Sequence, residues 1–106
     1  MNRYKLDNYK RRYTIDAYEC EHCTMPGTQI AHRIAETKTN LAKYGVKVVN
    51  HFFNLVVTCS LYCNSRFNIG NNPRKCDALA ELIRQHGGEV WTAAKITKEI
   101  ERKVQQ

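Results

Sequence analysis

The sequence predicts a small α+β domain stapled by a metal ion, and three observations carry that reading. Cysteines come in two closely spaced pairs, Cys20/Cys23 and Cys59/Cys63. A C-x-x-C pair places two thiolates on one tight turn, and a second pair completes a tetrahedral zinc site. Two brief stretches, 28–34 and 55–58, show the alternation or β-branching of strands, while 35–44, 73–86 and 92–104 carry helical periodicity.

At 106 residues the chain has room for one domain, 1–106, whose modest core makes a metal staple expected. The opening Met1-Asn2-Arg3-Tyr4-Lys5 is polar, so no secretory leader is expected. No apolar run approaches the ~20 residues of a membrane span, and no membrane partner is expected. With an odd count of five cysteines, the pairs read as metal ligands in a reducing cytoplasm. A secreted disulfide protein would leave one thiol unpaired. The formal net charge of +7 favours a polyanionic partner, and alongside paired cysteines nucleic acid is the partner expected.

Residues 1–19 mix Arg3, Lys5, Lys10, Arg11 and Arg12 with Tyr4, Tyr9, Tyr13 and Tyr18. They read as a basic, aromatic arm able to meet phosphates and bases, or as one docked on the core. Pro26-Gly27 marks a turn into a strand over 28–34, with Ile30, His32 and Ile34 on one apolar face. A helix over 35–44 is stopped by Gly45, and Val46–Val49 reads as a short extended piece. The second strand, 55–58, delivers Cys59 and Cys63, and a helix follows from Asn64 to Ile69. Asn72-Pro73 is an N-cap followed by proline at the first helical position. It opens a core helix with Cys76, Leu79, Ala80 and Ile83 on one face, ended by Gly87-Gly88. Thr92 caps a last helix whose stripe of Ile96, Ile100 and Val104 folds back on the domain or pairs with another subunit as a homo-oligomer.

Cys20, Cys23 and Cys63 are the surest zinc ligands, with Cys59 preferred as the fourth and Cys76 competing for that place. A site closed by four thiolates is structural. His32 is the candidate for proton transfer, since a neutral imidazole can take a proton from water. The other histidines, His22, His51 and His86, read as structural or solvated, although His51 could reach the same region.

The order C-x-x-C, a strand ending in His32, Asn54-Leu55 five residues before Cys59, and Cys63 followed by Asn64 resembles the HNH (His-Me finger, ββα-metal) nucleases with a structural zinc. The resemblance covers roughly the middle half of the chain, 20–69. It departs from the family pattern at Ala31, where an acidic metal ligand is common, at Asn64, where the last histidine of the triplet often stands, and in the longer Cys59-to-Cys63 spacing. It implies a zinc-stapled ββα finger covered by the helices of 72–106. It further implies an endonuclease hydrolysing DNA phosphodiesters. His32 would be its general base, Asn54 would tie the connecting loop and orient His32, and Asn64 would hold a catalytic Mg²⁺ or similar cation. Asn68 could share that ion, and Arg33 could contact phosphate. The alternative is a non-catalytic zinc module that binds nucleic acid.

Overall fold

The computed structural model describes residues 2–105, so residues 1 and 106 of the expected arm and last helix lie outside it. Strands β1 (Gln29–His32) and β2 (Leu55–Thr58) pair antiparallel, with Gln29 opposite Thr58 and His32 opposite Leu55. A two-stranded ribbon is marginal in water unless covered, and every residue of β2 is buried. Helix α1 (Arg3–Ile15) packs on β2, and the short helix α4 (Leu61–Ser65) packs against both strands. Among the described residues the fold is thus a small α+β arrangement of one two-stranded sheet and six α-helices.

The main apolar core lies to the side of the ribbon. A 3-10 turn, Phe52–Asn54, sends Phe52 and Phe53 into contact with α5 (Pro73–His86) and α6 (Ala93–Val104). Leu79, Leu82, Trp91, Ile96 and Ile100 complete it. Both helices start as their sequences dictate: the Asn72 and Thr92 side chains accept from the backbone N–H of Lys75 and Lys95. The stripe of Ile96 and Ile100 is buried within this chain's own core.

Four local expectations are corrected. The basic arm is helix α1, capped by Asn2, with Asn8 and Arg12 buried. Arg12 donates from Nε and Nη2 to the Phe52 carbonyl, and from Nη1 to the Trp91 carbonyl and Asp16. A guanidinium with five donors can satisfy two buried carbonyls and a carboxylate at once, so Arg12 is a clasp inside the fold. Val46–Val49 is a helical turn, α3, closed by Val49 N–H to the Gly45 carbonyl and Asn50 N–H to the Val46 carbonyl, after Gly45, at φ +87°, redirects the chain from α2 (Lys38–Tyr44). The first strand ends at His32: Arg33 N–H still bonds the Asn54 carbonyl, but Asn54 N–H goes to His51 and the Arg33 carbonyl accepts from Ile69 N–H, so the ladder closes there. The helix expected from Asn64 to Ile69 forms a turn earlier, because Ser60 Oγ accepts from Cys63 N–H and caps it there.

Candidate metal centre and adjoining groove

The first cysteine pair sits on a tight hairpin. Cys20 N–H donates to the Met25 carbonyl, Gly27 N–H to Tyr18, and Glu21 N–H to Val57 of β2. Thr24, directly after Cys23, takes the left-handed φ of +63° that closes the knuckle, and its N–H bonds the Cys20 carbonyl. Gly27 is required by close approach, because a Cβ there would lie 2.1 Å from Val57 Cγ1. The hairpin therefore lies on β2 and brings Cys20 and Cys23 beside Cys59 and Cys63.

The four sulfurs lie within 4.8 Å of one another. Cys23 and Cys59 are 3.3 Å apart, Cys59 and Cys63 3.7 Å, and Cys63 and Cys23 4.0 Å. A tetrahedral zinc with Zn–S bonds of about 2.3 Å requires sulfurs ~3.8 Å apart, so the set fits that ion's size and softness. Burial raises the Cys20 thiol, but backbone N–H groups of Cys23 and His22 outweigh it and bring the pKa down to about 7. Cys59 shares protons with Cys23 and Cys63 and is pushed up to about 12. Four adjacent sulfurs cannot all ionise without a cation between them. Cys76 is buried elsewhere, its Sγ facing the Ile69 carbonyl at 3.3 Å, so Cys59 completes the cluster.

Beside this centre runs an open groove of about 390 Å³ lined by Ile30 and His32 of β1, Ala35, Glu36, and Leu61, Asn64, Ser65 and Asn68 on or after α4. His32 and Asn64 are thus brought together, and the His32 face is not apolar. His32 Nε2 lies 3.0 Å from Asn50 Oδ1, and the Tyr9 ring of α1 meets the imidazole edge-on. Asn64 is half-buried, and because Ser60 caps α4, its amide is not needed for that purpose.

The remaining expected residues fall differently. Asn54 is fully buried, accepting from Ile34 N–H at 2.8 Å and donating to the carbonyls of Ile34 and Val49. It ties the loop as the resemblance implies, but the partner of His32 is Asn50. Asn68 lies past the end of α4 and accepts from Gly70 N–H at 2.7 Å, which engages its carbonyl oxygen. Arg33 is buried, donating to Thr97 Oγ1 and the Ala93 carbonyl, and burial pulls its pKa down to about 10. It holds α6, so it is not a phosphate contact. Ala31 faces the opposite side from His32, packed with Val56 and Ala93. An acid at that position would be buried rather than aimed into the groove. His51 is kept neutral, its pKa lowered to about 4 chiefly by burial.

Three residues linked to His32 were not expected at the site: Glu36, which lines the groove, and behind it the buried Asn50 and the arm's Lys5. Asn50 Nδ2 donates to Glu36 Oε2 at 2.9 Å, and Lys5 of α1 donates to Glu36 Oε1 at 2.6 Å. Burial raises the Glu36 carboxyl, but the bonds from Lys5 and Asn50 outweigh it and hold the pKa below its ordinary value. Asn50 follows a run of β-branched residues and gave no signal of its own.

No protein-family model, curated protein or solved structure matches the chain. Among the described residues, no helix is long and apolar enough to cross a membrane.

Proposed function

We propose that this protein is a metal-dependent endonuclease of the HNH type, acting on DNA in a reducing compartment, with a structural zinc on Cys20, Cys23, Cys59 and Cys63. The observation that carries the reading is the shared groove, lined by a histidine on a strand and by an asparagine on a helix directly after Cys63 of the four-cysteine cluster. Zinc held by four thiolates has no open position and serves the fold. A hard divalent cation such as Mg²⁺, with Asn64 as protein ligand and the remaining positions for water and substrate phosphate, would supply Lewis-acid stabilisation of the phosphorane charge.

The chain's own contribution is proton transfer and positioning. His32, in its neutral form, accepts a proton from the attacking water. The amide of Asn54 ties the segment that follows β1 to the end of α3 through Ile34 and Val49, next to the strand bearing His32.

The test is supercoiled plasmid incubated with and without Mg²⁺. His32→Ala is expected to retain zinc and DNA affinity yet lose cleavage by ~10²–10⁴-fold, and Asn64→Ala to raise the Mg²⁺ requirement or abolish turnover. Cleavage at the wild-type rate by His32→Ala would move the base elsewhere. The second reading, a non-catalytic zinc module that binds nucleic acid, is favoured by the groove's acidic residue, Glu36, being engaged by Lys5 and Asn50, while position 31 is buried away from the groove. Tight binding without cleavage in Mg²⁺, Mn²⁺, Ca²⁺ and Ni²⁺ would select it.

A further inference from the structure

His32, Asn50, Glu36 and Lys5 form a chain of polar contacts of 3.0, 2.9 and 2.6 Å, crossing from β1 to the loop after α3, back to the segment after β1, and on to α1. The chain has one consistent direction. Lys5 has only protons to give, and an ionised carboxylate can only accept. Glu36 therefore accepts from both Lys5 and the Asn50 amide nitrogen, which turns the Asn50 carbonyl oxygen toward His32. A carbonyl oxygen can only accept, so the proton of the neutral imidazole must reside on Nε2, leaving the lone pair on Nδ1.

We propose that Asn50 and Glu36 are positioning residues that fix the ring orientation and the Nε2–H tautomer of His32, with Lys5 anchoring the relay to α1. This deepens the endonuclease reading by assigning Nδ1 as the basic atom, and it rests on that reading only for its catalytic consequence. Two features support it. Asn50 is 1% exposed, so its amide is shielded from competing water. Tyr9 packs against the imidazole edge, so the ring is held on a second side. The charged and titratable groups that face the imidazole are thus Glu36 from the segment after β1, and Lys5 and Tyr9 from α1. A histidine free in the groove would sample both tautomers and several rotamers. The relay removes that freedom, as a second hydrogen bond on a working imidazole generally does.

The experiment is nitrogen-15 NMR of the zinc-loaded full chain with labelled histidine. At neutral pH, His32 is expected to show a pyrrole-like Nε2 whose proton is slow enough in exchange to be observed, and a pyridine-like Nδ1. Asn50→Ala should remove the protected proton and give averaged ring shifts, with zinc content and the His51 signals unchanged. Glu36→Gln keeps an acceptor for the Asn50 amide and should preserve the protected proton, whereas Glu36→Ala should lose it. Glu36→Ala alters a side chain that is 31% exposed and lies outside the apolar core, and it serves if Asn50→Ala fails to fold. In cleavage assays Asn50→Ala should lower kcat by about 10-fold or more at little changed KM, with Glu36→Gln rescuing relative to Glu36→Ala. A proton found on Nδ1 in the wild type, or a protected Nε2–H that persists in both alanine variants, would overturn the relay. An intact relay in a protein that cleaves no DNA would leave the relay standing and sink the endonuclease reading alone.

Discussion

At one end of the domain, the 18–27 hairpin, β2 and α4 surround four sulfurs; at the other, α5, α6 and the 3-10 turn enclose Phe52, Phe53 and Trp91. The aromatic rings of the helical end stack or meet edge-on at centroid separations of 4.9 and 5.0 Å, and Phe52 and Phe53 are wholly buried. Apart from β2, the cysteine end buries little, and of its four cysteines only Cys20 and Cys63 are buried. Met25, Leu61 and Tyr62 beside the ligands are 61%, 78% and 67% exposed. Apolar burial contributes ~25 cal/mol per Å², so it can order the helical end but not the hairpin. A metal held by the four sulfurs would order the cysteine end, and two buried guanidiniums couple the halves: Arg12 reaches Phe52 and Trp91 from α1, and Arg33 reaches α6 from the end of β1.

Removing the metal should have the largest effect. Structural zinc contributes on the order of 10 kcal/mol of apparent folding free energy in small domains. Purified protein is expected to hold one equivalent, and Cys63→Ser to lose it. Chelation should abolish amide protection in 18–27 and 59–65 before that of α5 and α6. Simultaneous loss of protection throughout would show one cooperative unit and break the contrast between the ends.

The converse substitution is Phe53→Ala, which empties a wholly buried site between Phe52 and Trp91. The expected cost is ~3–5 kcal/mol, read from denaturant midpoints of the zinc-loaded protein. Because the metal does not reach this core, excess zinc should not restore the loss. Recovery of wild-type stability by added zinc would show that the metal supports the helical end as well.

The sequence made the cysteine end and the two last helices legible for the same reason: each carries a local signal. Paired cysteines, the Asn72-Pro73 start and the Thr92 cap all act within a few residues of themselves, and all appear where expected. His32 and Asn64 do share a groove, but their partners were hidden because they lie far away in sequence. Asn50 meets His32 across 18 residues, and Lys5 meets Glu36 across 31. The N-terminal segment misled for a physical reason. Its charges signal solvent or phosphate, yet Arg12 is buried because the carbonyls of Phe52 and Trp91 and the carboxylate of Asp16 lie within its reach. Val46–Val49 shows β propensity losing to context, the segment closing as a helical turn directly after Gly45.

A smaller perturbation tests how closely the hairpin must lie on the sheet. Gly27→Ala would set a Cβ 2.1 Å from Val57 Cγ1, on a β-branched side chain that is wholly buried and cannot swing away. The cost should approach the upper end of the ~1–3 kcal/mol typical of overpacking, and zinc affinity should fall with it, since the same displacement moves Cys20 and Cys23 off Cys59. An unchanged affinity would show that the hairpin can shift without disturbing the cluster.

The smallest effect is acid sensitivity at the helical end. His51 Nδ1 accepts from Phe53 N–H, so its proton sits on Nε2 and is donated to the Gly87 carbonyl at 3.0 Å. The ring also stacks on Phe52. Protonation would place a second proton on Nδ1, break the Phe53 bond and bury a charge near Arg11 and Arg12. Burial first, and those cations in addition, lower the pKa to about 4, although the Gly87 carbonyl opposes the shift. Between that value and the ordinary histidine range near ~6.5 the unfolded chain binds more protons than the folded one, so stability rises with pH. The contribution is full above ~6.5 and falls as acid approaches the folded pKa; allowing for the ring's partial contact with water, the loss from about pH 7 to about pH 5 should be on the order of 1–2 kcal/mol. Thiolate protonation at the cysteine end weakens the protein over the same range, so the wild type alone cannot separate the two. His51→Asn keeps an acceptor for Phe53 N–H but does not titrate. The stability gap between wild type and His51→Asn cancels the zinc contribution, because the two sites share no partners. That gap should narrow on acidification. A gap that stays constant would place all of the acid sensitivity at the cysteines.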